Sequence, residues 1–399
     1  MNEKKLPNGW AFVELGQVLD YEQPTKYIVD STMYDDKFKT PVLTAGKSFI
    51  IGYTNEENGI FEDNLPVIIF DDFTTASKYV NFMFKVKSSA MKILFPHSTE
   101  VDLKYLFYLM QTINIKCDTH KRYWISQYSK VKIPYAPLSE QKRIVIKIEE
   151  LFSELDNGVK NLKKVKQQLK IYRHAVLEEC TETPKLKFIR DCVIEIGQGW
   201  SPKCVNSNTE SPNVWAVIKT SAIQHCYFDA SENKILPNSL VPREQHQLNV
   251  GDILITRAGP RTRVGVCCLV KRVKPKLINC DKVYRLRVNE EIILPQFFEY
   301  VLNTPSLYKK LELCKTGGND SGLNLTQDRF LNLKIPLPSI QEQEKIICEI
   351  ESRLSVCDKI EQTVEEILQK SESLRQSILK KAFEGKLVPQ DPSDELRNT

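Results

Sequence analysis

The sequence predicts an α+β protein: two α/β domains at the ends of a central antiparallel pair of long coiled-coil helices, related by a pseudo-twofold internal repeat. Three observations predict it. Lys132–Asp156 (KIPYAPLSEQKRIVIKIEELFSELD) and Lys334–Asp358 (KIPLPSIQEQEKIICEIESRLSVCD) align without a gap 202 residues apart, with ten of 25 positions identical. Each stretch runs on into a long segment that reads as helix. Each is preceded by the same order of elements: a mixed, strand-rich region, a short apolar helix, a loop and the Lys-Ile-Pro strand. A repeat this long lies far beyond the period of solenoids, so it marks two copies of one large module. Such a covalent pseudo-dimer suits a ligand that is itself roughly twofold, and duplex DNA is the obvious case.

The elements follow in order. In the first half, strands are predicted over Thr40–Leu43, Phe49–Tyr53, Pro66–Phe70 and Lys92–Phe95, broken by turn residues such as those of Asn55–Gly59. Val101–Thr112 has a helical apolar rhythm. In the second half, strands are predicted over Trp215–Lys219, Asp252–Thr256, Gly265–Val270 and Val283–Val288, and Ile293–Thr304 matches the short helix at an offset of 192. The loop before the second Lys-Ile-Pro strand is therefore ten residues longer, and it contains Gly317-Gly318-Asn319-Asp320-Ser321-Gly322. From Glu140 to about Glu179 nothing breaks a helix except Gly158. Leu155, Leu162, Leu169 and Val176 recur every seven residues, with Leu151, Val165 and Tyr172 on a neighbouring seam. In the second copy Val364 and Ile378 mark one seam and Ile360, Ile367 and Leu374 the other. A helix of this length would span roughly 60 Å and needs an apolar partner; its own repeat is the simplest one. The expected boundaries are 1–138 and 182–340 for the globular domains, 139–181 and 341–390 for the helices, and 391–399 for a flexible tail.

At 399 residues there is room for two or three domains that each bury a core. The net charge of +5 decides little, but its distribution is informative. Seven basic residues and no acid lie between Asp252 and Asp281, and six basic residues and no acid between Asp156 and Glu178. Stripes of this kind fit a polyanion partner or a solvated face. Eleven cysteines, an odd number with no C-x-x-C spacing, fit reduced thiols rather than a disulfide framework. The opening residues MNEKKLPNGW lack the apolar core of a signal peptide, and no run approaches a membrane span. A cytoplasmic chain is expected.

The catalytic inventory is thin. Ala45-Gly46-Lys47-Ser48 looks like the end of a P-loop, but the position five before Gly46 is Pro41. Gly197-Gln198-Gly199 lacks the third glycine of a dinucleotide loop and reads as a turn. The five histidines show no paired metal spacing, so no metal and no catalytic residue is assigned. Asp71-Asp72 reads as an exposed acidic pair at a strand end, able to bind a metal or to accept from a cytosine edge. The binding inventory is richer. Lys121-Arg122-Tyr123-Trp124, followed by Ser126, Gln127 and Tyr128, mixes cations, aromatics and amides, although Trp124 and Tyr128 equally fit a core. Arg257-Ala258-Gly259-Pro260-Arg261-Thr262-Arg263 follows directly on a strand and sets three guanidiniums around a Gly-Pro turn. Guanidiniums grip guanine or phosphate, and small residues let the backbone approach.

These residues resemble the DNA-specificity subunit of type I restriction–modification systems, over nearly the whole chain. Leu6-Pro7-Asn8-Gly9-Trp10 with Leu15-Gly16 is similar to the family's opening of a target-recognition domain. The two IP-x-P-like stretches ending in Glu-Gln resemble the start of its two conserved regions, and Gly251-Asp252-Ile253-Leu254 resembles a strand of its recognition domains. Lys381–Pro389 (KAFEGKLVP) resembles its C-terminal segment. The second domain lacks the Gly-Trp opening and starts with Lys187-Phe188-Ile189 instead. The resemblance implies two target-recognition domains, each reading one half of a bipartite double-stranded DNA target, and helices that set the spacer and dock two methyltransferase subunits. It implies that the chain is not itself an enzyme and binds no cofactor. S-adenosylmethionine would belong to the adenine-methylating partners, and ATP and Mg to two motor–nuclease subunits where these join. Since the two domains share little sequence before Val101 and Ile293, the target should be asymmetric.

Polarity next to predicted strand ends selects the DNA-binding candidates. In the first domain they are Lys47, Tyr53, Thr54, Asn55, Thr74, Thr75, Lys78, Lys121 and Arg122. In the second they are Lys219, Thr220, Arg257, Arg261, Thr262, Arg263, Lys315 and Asn319. The alternative reading is a coiled-coil scaffold whose end domains bind proteins. A metal-dependent nuclease acting through Asp71 or Asp72 is the third. The target bases and the spacer length are not written in the sequence.

Overall fold

The computed structural model describes residues 6–46, 48–115 and 122–394. The chain forms two compact units, Met1–Leu162 with Glu366–Thr399, and Lys163–Glu365, so the division falls within the two long helices rather than at their ends.

In the first unit a four-stranded antiparallel sheet has the spatial order Leu19–Glu22, Met91–Pro96, Val67–Asp71, Ser77–Val80. A second sheet places Thr40–Leu43 between Ile50–Thr54, antiparallel, and Lys85–Val86, parallel. Ala11–Glu14 pairs with the Lys-Ile-Pro strand Lys132–Tyr135. The β-branched run Val67-Ile68-Ile69 is fully buried, as the centre of a sheet covered on both faces requires. Helix Leu103–Met110 is capped by Asp102, whose carboxylate accepts from the Tyr105 amide at 3.0 Å.

The second unit repeats these three sheets and adds a hairpin of Ile223–Gln224 with Tyr227–Phe228 and a small sheet in which Ala258–Gly259 pairs with Leu323–Leu325. Its four-stranded sheet runs Val193–Gln198, Val283–Val288, Ile253–Thr256, Cys267–Leu269. Its three-stranded sheet centres Ala216–Ile218 between an antiparallel Asn233–Ile235 and a parallel Leu277–Ile278. Leu186–Phe188 pairs with Lys334–Pro336. The registers also correspond: Asp71 lies opposite Met91 as Thr256 lies opposite Val283. The ten extra residues of the second half contribute to a helix, Pro305–Cys314, and a hairpin of Lys315–Thr316 with Leu323–Leu325 that carries the glycine-rich loop at its turn.

The residues identical in both copies hold this frame. Gln141 and Gln343 are completely buried. The Gln141 amide accepts from Asp102 N at 2.9 Å and donates to Ala136 O at 2.8 Å. Gln343 accepts from Leu294 N at 2.8 Å and donates to Pro338 O and Ile292 O, each at 3.0 Å. One side chain in each copy therefore ties the entry of the short helix to the entry of the long one.

The long helices are Leu138–Thr181 and Ile340–Phe383, 44 residues each. In the first unit Asp156 pairs with Arg375. In the second, Arg173 pairs with Asp358 at 2.7 Å, Lys166 with Glu365 at 2.6 Å and Arg353 with Glu179 at 3.1 Å. The three pairs of the second unit run antiparallel. The expected heptads are half right. Leu169, Val176, Val364 and Ile378 are buried, joined by Ile148, Ile350 and Cys357. Leu155 and Leu162 of the first seam and Leu151 and Val165 of the second are half-buried, whereas Tyr172, Ile360, Ile367 and Leu374 of the second are exposed. Of the expected tail, Asp394 is tied down by Arg143 and Ser139.

Candidate nucleic-acid interface

In both units the four-stranded sheet ends in a cluster of loops. In the second unit the strands Val193–Gln198 and Ile253–Thr256 run out beside the start of Val283–Val288. Gly197 and Gln198 are the last residues of their strand rather than a turn, and Gly199 passes so close to the neighbouring backbone that a Cβ there would stand 2.0 Å from Asn279 O. The chain then presents Trp200, with the Arg243 guanidinium 4.5 Å from its ring, and Ser201, which bonds Asp281. Arg257 donates from Nε to Asp281 O at 2.8 Å and lies 5.7 Å from the Tyr284 ring. Arg261 is exposed, held by Glu312 and Asp320 at 2.9 Å each, while Thr262 and Asn319 are exposed beside it in sequence and loop. Carboxylate partners of this kind pre-orient a guanidinium without removing it from solvent.

Several candidates take other roles. Arg263 donates to the carbonyls of Thr220 and Ile223 and to Gln224 Oε1, fixing the turn after Ala216–Ile218. Thr220 is thereby brought next to the arginine loop, and Lys219 pairs with Glu232 at 3.5 Å. Lys315 corrects the expectation of a free cation. Its side chain is 1% exposed, paired with Glu312, bonded to Arg261 O at 3.0 Å and 4.9 Å from the Tyr308 ring. Much of the basic stripe between Asp252 and Asp281 is likewise engaged: Lys274 donates to Ser211 O and Val214 O, and burial pulls its pKa below the usual lysine value.

In the first unit the turn after Val67–Asp71 carries Thr74, exposed, and Thr75, in a left-handed conformation at φ 59°. Asp71 Oδ1 accepts from Phe73 N and Thr74 N at 2.9 Å each, so it caps the turn. Asp72 overturns the exposed acidic pair: it is 2% exposed, accepts from Trp124 N at 2.7 Å and faces the buried Lys92 ammonium at 3.5 Å. A carboxylate so enclosed reaches neither a base edge nor a metal ion, and among the described residues no group of three or more His, Cys, Asp or Glu could hold a metal. Tyr123, Trp124 and Tyr128 are core residues, leaving Arg122 exposed at the loop surface. Tyr53 and Asn55 lie at the end of Ile50–Thr54 in the other sheet, where Thr54 is buried and its hydroxyl accepts from Glu56 N, removing it as a contact. Lys78, half-buried on the outer strand, lies opposite Ile69. Ala45, Gly46 and Ser48 lie between Thr40–Leu43 and Ile50–Thr54, where Thr44 Oγ1 accepts from Gly46 N and donates to Ser48 O. Lys47 and Lys121 lie outside the described residues.

Sequence reading missed Trp200, Arg243 and Asp281; only Gly199 signalled them, through its close approach.

Duplicated α/β units with cation- and amide-rich loops at matching sheet ends define a DNA-recognition class of protein. The sequence profile of the type I restriction modification DNA specificity domain matches residues 7–167 and 194–370, one match for each copy. The chain belongs to this family of type I restriction–modification specificity subunits. It is 33% identical over 352 residues to the type I restriction enzyme EcoR124I/EcoR124II specificity subunit of Escherichia coli, covering 84% of each chain. Its fold is shared with a chain solved in a study of complex assembly and conformational transition of the type I R-M system, at TM-score 0.69 and 20% identity, covering 96% of this chain and 99% of that one. The crystal structure of the HsdS subunit from Thermoanaerobacter tengcongensis matches at TM-score 0.54 and 20% identity, with the same coverage. No helix among the described residues is long and apolar enough to cross a membrane.

Proposed function

We propose that each unit reads one half of an asymmetric, bipartite DNA target, and that this chain supplies recognition while partner subunits supply chemistry. The observation that carries the reading is the pairing of one frame with two unlike loop sets: a turn of Thr74 and Thr75 beside Arg122 in one unit, an arginine turn of Arg257, Arg261 and Thr262 in the other. Phosphate contacts position such loops and make binding salt-dependent, while side chains at base edges set the sequence. The two long helices act as the ruler that fixes the spacer, as an antiparallel coiled coil. Two methyltransferase subunits dock on helix surface outside the buried seam, where Ile360, Ile367 and Leu374 offer apolar contact. These partners carry S-adenosylmethionine; motor–nuclease subunits, where present, carry ATP and Mg.

The test is methylome sequencing of a methylation-free host that expresses this chain with its methyltransferase subunit. One asymmetric bipartite motif, methylated at adenine in both halves, is the expected outcome. An assembled complex that leaves no new methylation turns the reading toward a protein-binding scaffold. Inserting one heptad into both helices should lengthen the preferred spacer and leave both half-sites unchanged.

A further inference from the structure

We propose that Asp72 and Lys92 form a positioning clamp that seats the recognition loop of the first unit, and that Arg257 and Tyr284 are the same clamp built from different chemistry in the second. The inference rests on the DNA-reading function above. The correspondence comes from register. Phe70 lies opposite Lys92 in the first sheet, and Ile255 lies opposite Tyr284 in the second. Asp72 and Arg257 each stand two residues beyond those positions, where the strand leaves the sheet. Both backbones do the same work there. Asp72 O accepts from Tyr123 N at 2.9 Å, and Arg257 O accepts from Leu325 N at 2.7 Å. Tyr123 and Leu325 are 202 residues apart, the offset of the repeat, so the positional correspondence of the two halves reaches back from the Lys-Ile-Pro strand into the loop before it, although no residue there is identical.

The side chains then diverge. In the first unit the Asp72 carboxylate accepts from Trp124 N at 2.7 Å and is balanced by Lys92 at 3.5 Å, both side chains being at most 3% exposed. The Lys92 ammonium also lies 4.3 Å from the Tyr21 ring. In the second unit the Tyr284 hydroxyl donates to Leu325 O at 3.1 Å while the Arg257 guanidinium lies over its ring. Each pair grips the same loop residue or its neighbour, one by a buried charge and one by a neutral hydroxyl. Asp72 and Lys92 are too deeply buried to touch DNA, so they act through the loop they hold, whose exposed residues are Arg122, Ile125, Ser126 and Gln127. A buried carboxylate with one cationic partner is sensitive to loss of either charge, since the survivor is left uncompensated. A tyrosine hydroxyl on a carbonyl has no such liability.

The experiment measures equilibrium binding of the assembled methyltransferase complex to three duplexes: the full target, the target with one base changed in the first half-site, and the target with one base changed in the second. The ratio of affinities reads discrimination per active molecule, which a smaller folded fraction does not move. Asp72→Asn is expected to lower first-half discrimination about tenfold, the loss of one well-seated base contact, with the second-half ratio unchanged. Lys92→Arg, which keeps the charge, should retain the ratio, and Asp72→Asn with Lys92→Gln should recover part of what Asp72→Asn loses. Tyr284→Phe should lower only the second-half ratio, and by less. Unchanged first-half discrimination in Asp72→Asn, or equal loss at both halves, overturns the clamp. Wild-type complex that discriminates neither half overturns the DNA reading itself, before any variant is made.

Discussion

The two units of this chain differ most where they would touch DNA and least where the chain enters its helices. Gln141 and Gln343 sit in the same buried position with the same acceptor and donor partners. Asp72 and Arg257 sit in equivalent positions with opposite charge. Even an identical residue can part company: Glu140 is buried and accepts from the Trp10 indole at 2.8 Å, whereas Glu342 is exposed and caps its own helix through Ser339. Duplication therefore kept the hydrogen bonds that close the frame and released the strand ends.

The largest effect that tests the shared frame is loss of the buried amide. Gln141→Leu and Gln343→Leu each strand backbone groups that have no water to turn to, at about 3 kcal/mol in the unit concerned. Denaturant titration followed by hydrogen exchange, resolved by peptide, should show similar losses in the two units. A cheap substitution in one and a costly one in the other would break the equivalence.

Acid titration separates the units next. Glu299 is fully buried in the second unit, its Oε1 accepting from Leu269 N, and burial pushes its pKa up to about 7. The folded state then holds a proton that the unfolded chain releases near its ordinary value of 4.5. Proton binding favours the folded state only while that proton stays on, so stability falls as pH rises from about 4.5 to 7 and is lowest above it. The corresponding residue in the first unit is Phe107, and no such slope is expected there. Glu299→Gln should flatten the profile of the second unit; an unchanged slope would assign it to other groups.

At the loops the expectation is selective loss. Arg261→Ala should weaken recognition of the second half-site about tenfold, and Arg122→Ala that of the first, each leaving the other intact in the binding assay. Loss at both halves from either substitution would sink its assignment.

The frame was legible in the sequence because it is written in period and repeat. The Lys-Ile-Pro strands, the short helices and the 44-residue helices all fall where the pattern put them, and Val283–Val288 matches to the residue. The interface was legible only as a neighbourhood. Asp72 read as exposed because its partner, Lys92, is twenty residues away and is brought beside it by strand pairing, which polarity alone does not report. Lys315 read as free for the same reason, its Glu312 and Tyr308 partners lying one and two turns back on a helix that the loop reading did not foresee. Most of the second heptad seam, Tyr172, Ile360, Ile367 and Leu374, is apolar yet exposed, so apolar period established that the helix needs a partner without saying which stripe meets which.

The smallest expected effect is also the most exact probe of the repeat. Arg173 and Arg375 are 202 residues apart, as are Asp156 and Asp358, and the two pairs are reciprocal: Arg375 meets Asp156 in the first unit and Arg173 meets Asp358 in the second. Their exposures match, each arginine side chain being 25% exposed and the aspartates 68% and 70%, while Arg173 also meets Glu361 at 3.2 Å and Arg375 lies 4.6 Å from the Phe152 ring. Ion pairs this open to solvent contribute about 0–1 kcal/mol and less at high salt. Asp156→Asn and Asp358→Asn should therefore each cost little, by similar amounts, in denaturation at low ionic strength, and their difference should vanish in 1 M salt. What the reciprocity supplies is a local register: in each unit the aspartate of one copy meets the arginine of the other. Reversing the charges of one pair, Asp156→Arg with Arg375→Asp, keeps that pair's attraction and gives up the contact of Arg375 with the Phe152 ring, so the doubly substituted chain should lose no more than that contact, about 0.5–1 kcal/mol. A larger loss would mean that Asp156 or Arg375 has a partner in the first unit beyond the Phe152 ring, whose counterpart in the second unit is Leu354.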